Sequence, residues 1–160
     1  MTRAEIERLR AEVRSDRAAF VARVTELGTL ELVTGGAPAM AQAAVALHHA
    51  FGAIEAALAR VARLLEGSLP QGSDWHQQLL VTMALEIPTV RPAVLSAESS
   101  IGLRKLLAFR HFFRHAYSVD WDGEQLASLC DTALQLRAPL DRDLDALDVF
   151  LAQLAAAVGS

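Results

Sequence analysis

Apolar residues recur along most of this chain at three- and four-residue intervals and no run alternates at a period of two, so the pattern predicts helices and no sheet. The first helix opens at Thr2, which forms a capping box with Glu5, and Ile6, Leu9, Val13, Phe20, Val24 and Leu27 carry its rhythm to about Leu32. Thr34-Gly-Gly-Ala-Pro38 interrupts it, because two glycines and a proline weaken a helix and remove a backbone donor. A second helix is expected from about Ala39 to Glu66, followed by the loop 67–72 and a third helix over about Asp74 to Ile87 with Ser73 as its N-cap. Pro88 ends that helix, and Arg91-Pro92 keeps the connection extended. Ser96 or Ser99 starts a fourth helix that continues to about Tyr117. Asp122 with Gln125 forms another capping box and begins the last helix, Gly123 to about Val158. Its buried stripe runs from Leu126 and Leu129 to Leu151 and Leu154, and Pro139 is expected to kink or break it.

At 160 residues, with no linker or repeat, the chain reads as a single domain, 1–160. The expected fold is all-α, an antiparallel up-and-down bundle of four to five helices. Ala, Leu and Val must build its core, because only 6% of the residues are aromatic. Residues 34–54 carry no formal charge over 21 positions, which raises a membrane-spanning reading. Pro38, Gln42 and the pair His48-His49 make that stretch a poor span and favour a buried bundle helix. The N-terminus is too charged for a secretory signal, and the single Cys130 can form no internal disulfide, so the expected location is the cytoplasm. Cys130 itself reads as a small core residue.

Charge is unevenly spread. Acidic and basic side chains cancel along the first helix, which reads as a solvated outer face. Between residues 91 and 119 there are five basic side chains (Arg91, Arg104, Lys105, Arg110, Arg114) against Glu98 alone, whereas from Asp120 onward eight acidic ones oppose two basic ones. A chain of net charge −4 is no general coat for nucleic acid, yet one basic strip can still focus phosphate. The acidic segment would repel RNA elsewhere or meet a basic partner.

The chemistry concentrates in Phe109-Arg-His-Phe-Phe-Arg-His-Ala-Tyr117. On a helix, Leu106, Phe109, Phe113 and Ala116 share an apolar face, and Arg110, His111, Arg114 and His115 fill the neighbouring polar sector. Arg110 and His115 fall about 140° apart, so a shared substrate would lie across that sector. Arg110 offers a fixed fork of donors for phosphate oxygens. His115 can move a proton near neutral pH, and a base acting on a 2′-hydroxyl distinguishes RNA from DNA. Phe112 lies on the opposite side, beside Lys105, as a candidate dimer contact. Other readings stay open: Tyr117 also suits a helix-end core residue with a wet hydroxyl, and His111 with His115 could share a metal, although the segment supplies only Glu98 as a further ligand. His48 and His49 read as packed or surface residues, Trp75 as a core plug, Arg91 as a surface arginine capping carbonyls, and His76 as able to approach the site.

The order Arg110, four residues, His115, one residue, Tyr117 resembles the signature of HEPN-domain ribonucleases of the HepT toxin type. The wider run Gly72-Ser-Asp-Trp75-His76, Leu79-Leu80, Met83, Arg91-Pro92 and the Phe109 block is similar to one branch of that family, over roughly residues 70 to 121. The resemblance implies a homodimeric helical bundle that cleaves RNA without metal or cofactor and is neutralised by an MNT-type nucleotidyltransferase antitoxin that adds AMP to the motif tyrosine. Carried over, Arg110 would hold phosphate, His115 would be the acid/base, His111 and Arg114 would support them, and Tyr117 would be modified. The competing expectation is a non-catalytic HEPN-like dimer that binds RNA or partners a nucleotidyltransferase.

Overall fold

The computed structural model describes residues 1–115 and 122–158, with their side chains except those of Val33 and residues 111–115. Within them lie five helices: α1 (Arg3–Leu27), α2 (Leu32–Leu65), α3 (Trp75–Met83), α4 (Ala97–His115) and α5 (Gly123–Val158). Side-chain pairs fix their directions. Gln42 reaches Glu26 while Arg60 reaches Asp16, so α1 and α2 run antiparallel. Arg10 meets Asp148 and Arg17 meets Asp141, which sets α5 antiparallel to α1. Glu66 with Arg91 and Glu55 with Arg110 make the α4 side antiparallel to α2. The result is an up-and-down bundle of α1, α2, α4 and α5, with α3 a short helix packed on α2 and α4.

The charge-free stretch is where the bundle closes. Ala43, Ala44, Leu47, Ala50, Phe51, Ile54, Leu58 and Val61 of α2 are all buried, because this helix touches each of the other four. Small side chains let α2 be enclosed on several sides, with larger neighbours such as Phe20 and Leu126 filling the gaps. No helix among the described residues is long and apolar enough to cross a membrane.

Three expected boundaries move, two because carbonyls find other donors and one because a single glycine takes up the break. α1 stops at Leu27 instead of continuing to about Leu32: the amides of Thr29 and Leu30 turn back onto Glu26 and Leu27, and the Thr29 hydroxyl donates to Glu26 O at 2.8 Å. The Thr34–Pro38 interruption shrinks to one residue, Gly36, whose φ of 57° and ψ of −151° only glycine adopts readily. Pro38 is then tolerated because the ladder has already been broken just before it. α3 ends at Met83, four residues short of Ile87, since Met83 O accepts from Val94 and Leu95 at 2.8 and 3.0 Å. Arg91 completes that ending: its guanidinium donates to Thr82 O, Leu85 O and Pro92 O and to the Glu66 carboxylate. It caps carbonyls as expected but is buried, not on the surface.

Other caps follow the sequence more closely. Thr2 and Glu5 exchange both bonds of their box, Ser96 Oγ accepts from the Ser99 amide at the start of α4, and Asp122 accepts from the amides of Glu124 and Gln125. Asp74, not Ser73, precedes α3. α5 runs unbroken past Pro139, which is largely buried and lines, with Gln135 one turn before it, a cleft on the surface.

The face of α1 expected to be merely solvated is a docking strip. Arg10, Arg14 and Arg17 pair with Asp148, Asp141 and Asp145 of α5, so part of the acidic C-terminal segment is matched inside the chain. The hydrogen bond from Arg10 holds the Asp148 carboxyl below its ordinary range. A lowered folded value means that the pair stabilises above the ordinary carboxylate range and loses that contribution as acid protonates Asp148. Because the carboxylate is about a third exposed, Asp148→Asn is expected to cost less than about 1 kcal/mol at pH 7. Thermal midpoints of variant and parent should converge as the pH falls below about 4, and a constant gap would exclude the linkage.

Gly102 lets α4 pack tightly on α5, where an added Cβ would lie 2.6 Å from Leu136 Cγ. Alanine gains about 1 kcal/mol of helix propensity but incurs about 1–3 kcal/mol of overpacking, so Gly102→Ala should lower the urea midpoint.

Candidate functional site

α4 carries Arg110 on the continuation of its buried ridge, one turn beyond Leu106 and Leu107 and two turns beyond Leu103. The side chain therefore enters the bundle instead of filling a polar sector on its outside, and it is only 14% exposed. Opposite it stands Glu55 of α2, one turn beyond Phe51 and flanked by Ile54 and Leu58. Glu55 is 10% exposed, and its carboxylate is the first charge after the 21 uncharged residues 34–54.

Glu55 grips the guanidinium end-on. Both carboxylate oxygens lie 2.7 Å from Arg110 Nη1, so a single nitrogen serves the ion pair and the usual two-nitrogen fork is not used. The guanidinium carbon sits 5.5 Å from the centroid of the Phe51 ring, which fixes its plane. Among the described residues Nε is buried without a hydrogen-bond partner. The Nε and Nη2 edge is thus the part of Arg110 not committed to Glu55, and two parallel donors suit two oxygens of a phosphate.

α3 supplies the third member. His76 Nδ1 contacts Glu55 Oε2 and lies 3.2 Å from Arg110 Nη1. An ionised carboxylate only accepts, so the proton shared with Glu55 belongs to Nδ1. Trp75 packs against the His76 ring at 3.9 Å between centroids, and it leans on the core as expected for a plug at the start of a helix. Three helices, far apart in the chain, thus converge on one carboxylate.

Of the residues singled out in the sequence, this cluster contains Arg110 and His76. The side chains of His111, Arg114 and His115 and the whole of Tyr117 lie outside the described residues, as do those of Phe112 and Phe113, while α4 reaches His115. Phe109 is buried in the core, and His48 and His49 lie side by side on α2 with ring centroids 5.7 Å apart. Glu55 was missed by the sequence reading. Its signal was a lone charge at the spacing of the apolar stripe that includes Phe51 and Leu58. Arg91 and Arg110 are both matched by internal carboxylates, so the basic strip expected over residues 91–119 rests on Arg104, Lys105 and Arg114. No three of His, Cys, Asp and Glu converge among the described residues. Cys130 is buried as expected, and burial pushes its thiol up to about 11.

Residues 42–151 match a family model described as HepT-like protein, an interval that spans Glu55, His76 and Arg110. No curated protein and no solved structure matches the chain.

Removing Glu55 strands a buried guanidinium, so Glu55→Ala should cost on the order of 3 kcal/mol by urea denaturation. The paired change Glu55→Leu with Arg110→Leu removes both charges and their desolvation cost, and it should recover most of that loss. If the double variant is as unstable as the single one, the pair is not the source of the effect.

Proposed function

The chain belongs to the HepT-like family, and from that membership we propose that it is an endoribonuclease toxin that cuts RNA without a metal. The observation that carries the proposal is the end-on Glu55–Arg110 pair, in which Nη1 alone meets the carboxylate and Nε has no hydrogen-bond partner among the described residues. On this reading Arg110 takes two phosphate oxygens and stabilises the charge that builds on them as the 2′-oxygen attacks. His115 transfers the proton, with His111 and Arg114 beside it on α4. Two copies of the bundle pair so that Arg110 and His115 face one substrate groove. A nucleotidyltransferase antitoxin of the MNT type restrains the enzyme in the cytoplasm by adding AMP to Tyr117. The family membership supports the toxin–antitoxin setting, and the Arg-x4-His-x-Tyr spacing supports the residue roles.

Incubation of the purified chain with RNA in excess EDTA tests the reading. Cleavage should persist in EDTA and fall by a factor on the order of 10² or more in Arg110→Ala and in His115→Ala. A double variant as active as the parent would sink the assignment. RNA bound in a salt-sensitive manner but left uncut would identify a binding module instead.

A further inference from the structure

The N-terminal half of α1 and the C-terminal end of α2 face each other across a cleft of about 310 Å³, at the small end of the roughly 300–1,000 Å³ range in which proteins hold small molecules. Because the two helices are antiparallel, Arg60 lies level with Glu12 and Asp16 and pairs with both. Arg63 and Leu64, one turn further along α2, meet the part of α1 that carries Glu5, Arg8 and Leu9. Carboxylates and guanidinia share this cleft without cancelling. Glu5 is turned to the Thr2 amide at 2.6 Å and Glu12 to Arg60, and among the described residues the side chains of Arg8 and Arg63 make no hydrogen bond and no ion pair. Further along α1, by contrast, Arg10, Arg14, Arg17 and Arg23 each meet a carboxylate.

We propose that this cleft binds a small phosphomonoester with a hydroxyl-bearing body, a sugar phosphate or a nucleoside monophosphate, its phosphate held by Arg8 and Arg63 and its hydroxyl groups turned to Glu12. Two guanidinia from different helices, with their donors uncommitted, match the oxygens of a phosphate. Buried Leu9 and half-buried Leu64 supply the apolar part of the lining. Glu5 and Glu12 add acceptors to which hydroxyl groups can donate. The charge layout selects this class of ligand. A run of RNA phosphates or an acidic peptide would set repeated negative charge against Glu5 and Glu12, whereas a ligand anionic at one end and neutral at the other suits both walls. The site is separate from the Glu55–Arg110 pair, because α1 contacts neither α3 nor α4 among the described residues, and it stands whether or not the chain cuts RNA.

Calorimetric titration of the full chain at low ionic strength with glucose 6-phosphate and, separately, with AMP tests the site. At least one of the two should bind at one equivalent per chain, more tightly than inorganic phosphate, and raise the thermal midpoint; the tighter of them identifies the body that the cleft takes. Arg8→Gln and Arg63→Gln should each weaken binding about tenfold or more, as expected for losing a charged hydrogen-bond donor. Arg137→Gln, at an exposed arginine of α5 that does not line the cleft, should leave binding unchanged. All three side chains are exposed, so the variants should keep the urea midpoint of the parent. Failure of the parent to bind either compound overturns the proposal, as does binding that inorganic phosphate matches or that survives the loss of both Arg8 and Arg63. A short oligoribonucleotide that displaces the bound compound and itself depends on Arg8 and Arg63 would mark an RNA surface instead, and that result also overturns it.

Discussion

A carboxylate and a guanidinium facing each other inside a helical bundle are the constraint around which the rest of this structure is arranged. Glu55 and Arg110 come from the two helices that flank the most enclosed part of the core, and both are almost covered. Desolvating two such charges costs several kcal/mol per ion, which their attraction returns only with good geometry and further hydrogen bonds. The end-on arrangement is not the geometry that best repays this cost, since the two-nitrogen fork would engage more of the guanidinium. A bundle selected for stability alone would place Leu or Met at both positions. The arrangement makes sense if part of the guanidinium is held for something that binds there.

The remaining electrostatics support that view by contrast. The ion pairs between α1 and α5 are partly or fully open to water, sit along a seam and individually contribute little. They select the register of two helices whose apolar faces alone would permit sliding. They also draw part of the acidic C-terminal segment onto α1, which among the described residues does not contact α4. The charge contrast visible in the sequence thus serves two separate ends: docking on one side, and a less negative environment for Arg110 on the other.

How much of this could be read from the chain depends on how local the determining interaction is. Helix number, the Thr2 and Asp122 caps, the break at Gly36 and the buried stripe of α5 all follow from residues within one or two turns of each other. The end of α3 does not, because it is set by Met83 O accepting from Val94 and Leu95 and by a guanidinium eight residues downstream. Pro139 shows the same limit: the local rule allows a kink or a break, and the helix continues through the position with the proline buried. For the site, Arg110 and His76 were visible as residue types, but their meeting was not, since it depends on a third residue on a helix that looked purely apolar. Glu55 violates the pattern of its own helix, and that violation was the available signal.

α3 shows how the fold makes such a meeting possible. By itself this helix is too short to be stable, and its last carbonyls are satisfied from outside, by the Arg91 side chain and the amides that begin the approach to α4. Arg91 is in turn anchored to Glu66 at the end of α2. At the other end of α3, α2 and α4 are joined through Glu55, His76 and Arg110. The short helix is therefore clamped at both ends by arginine–glutamate pairs, one from the α3–α4 connection with its guanidinium spread over three carbonyls and the other from α4 with Nε unpartnered among the described residues. The two clamps differ in what they reach: the first holds backbone carbonyls at the end of α3, and the second brings Glu55, His76 and Arg110 to one place.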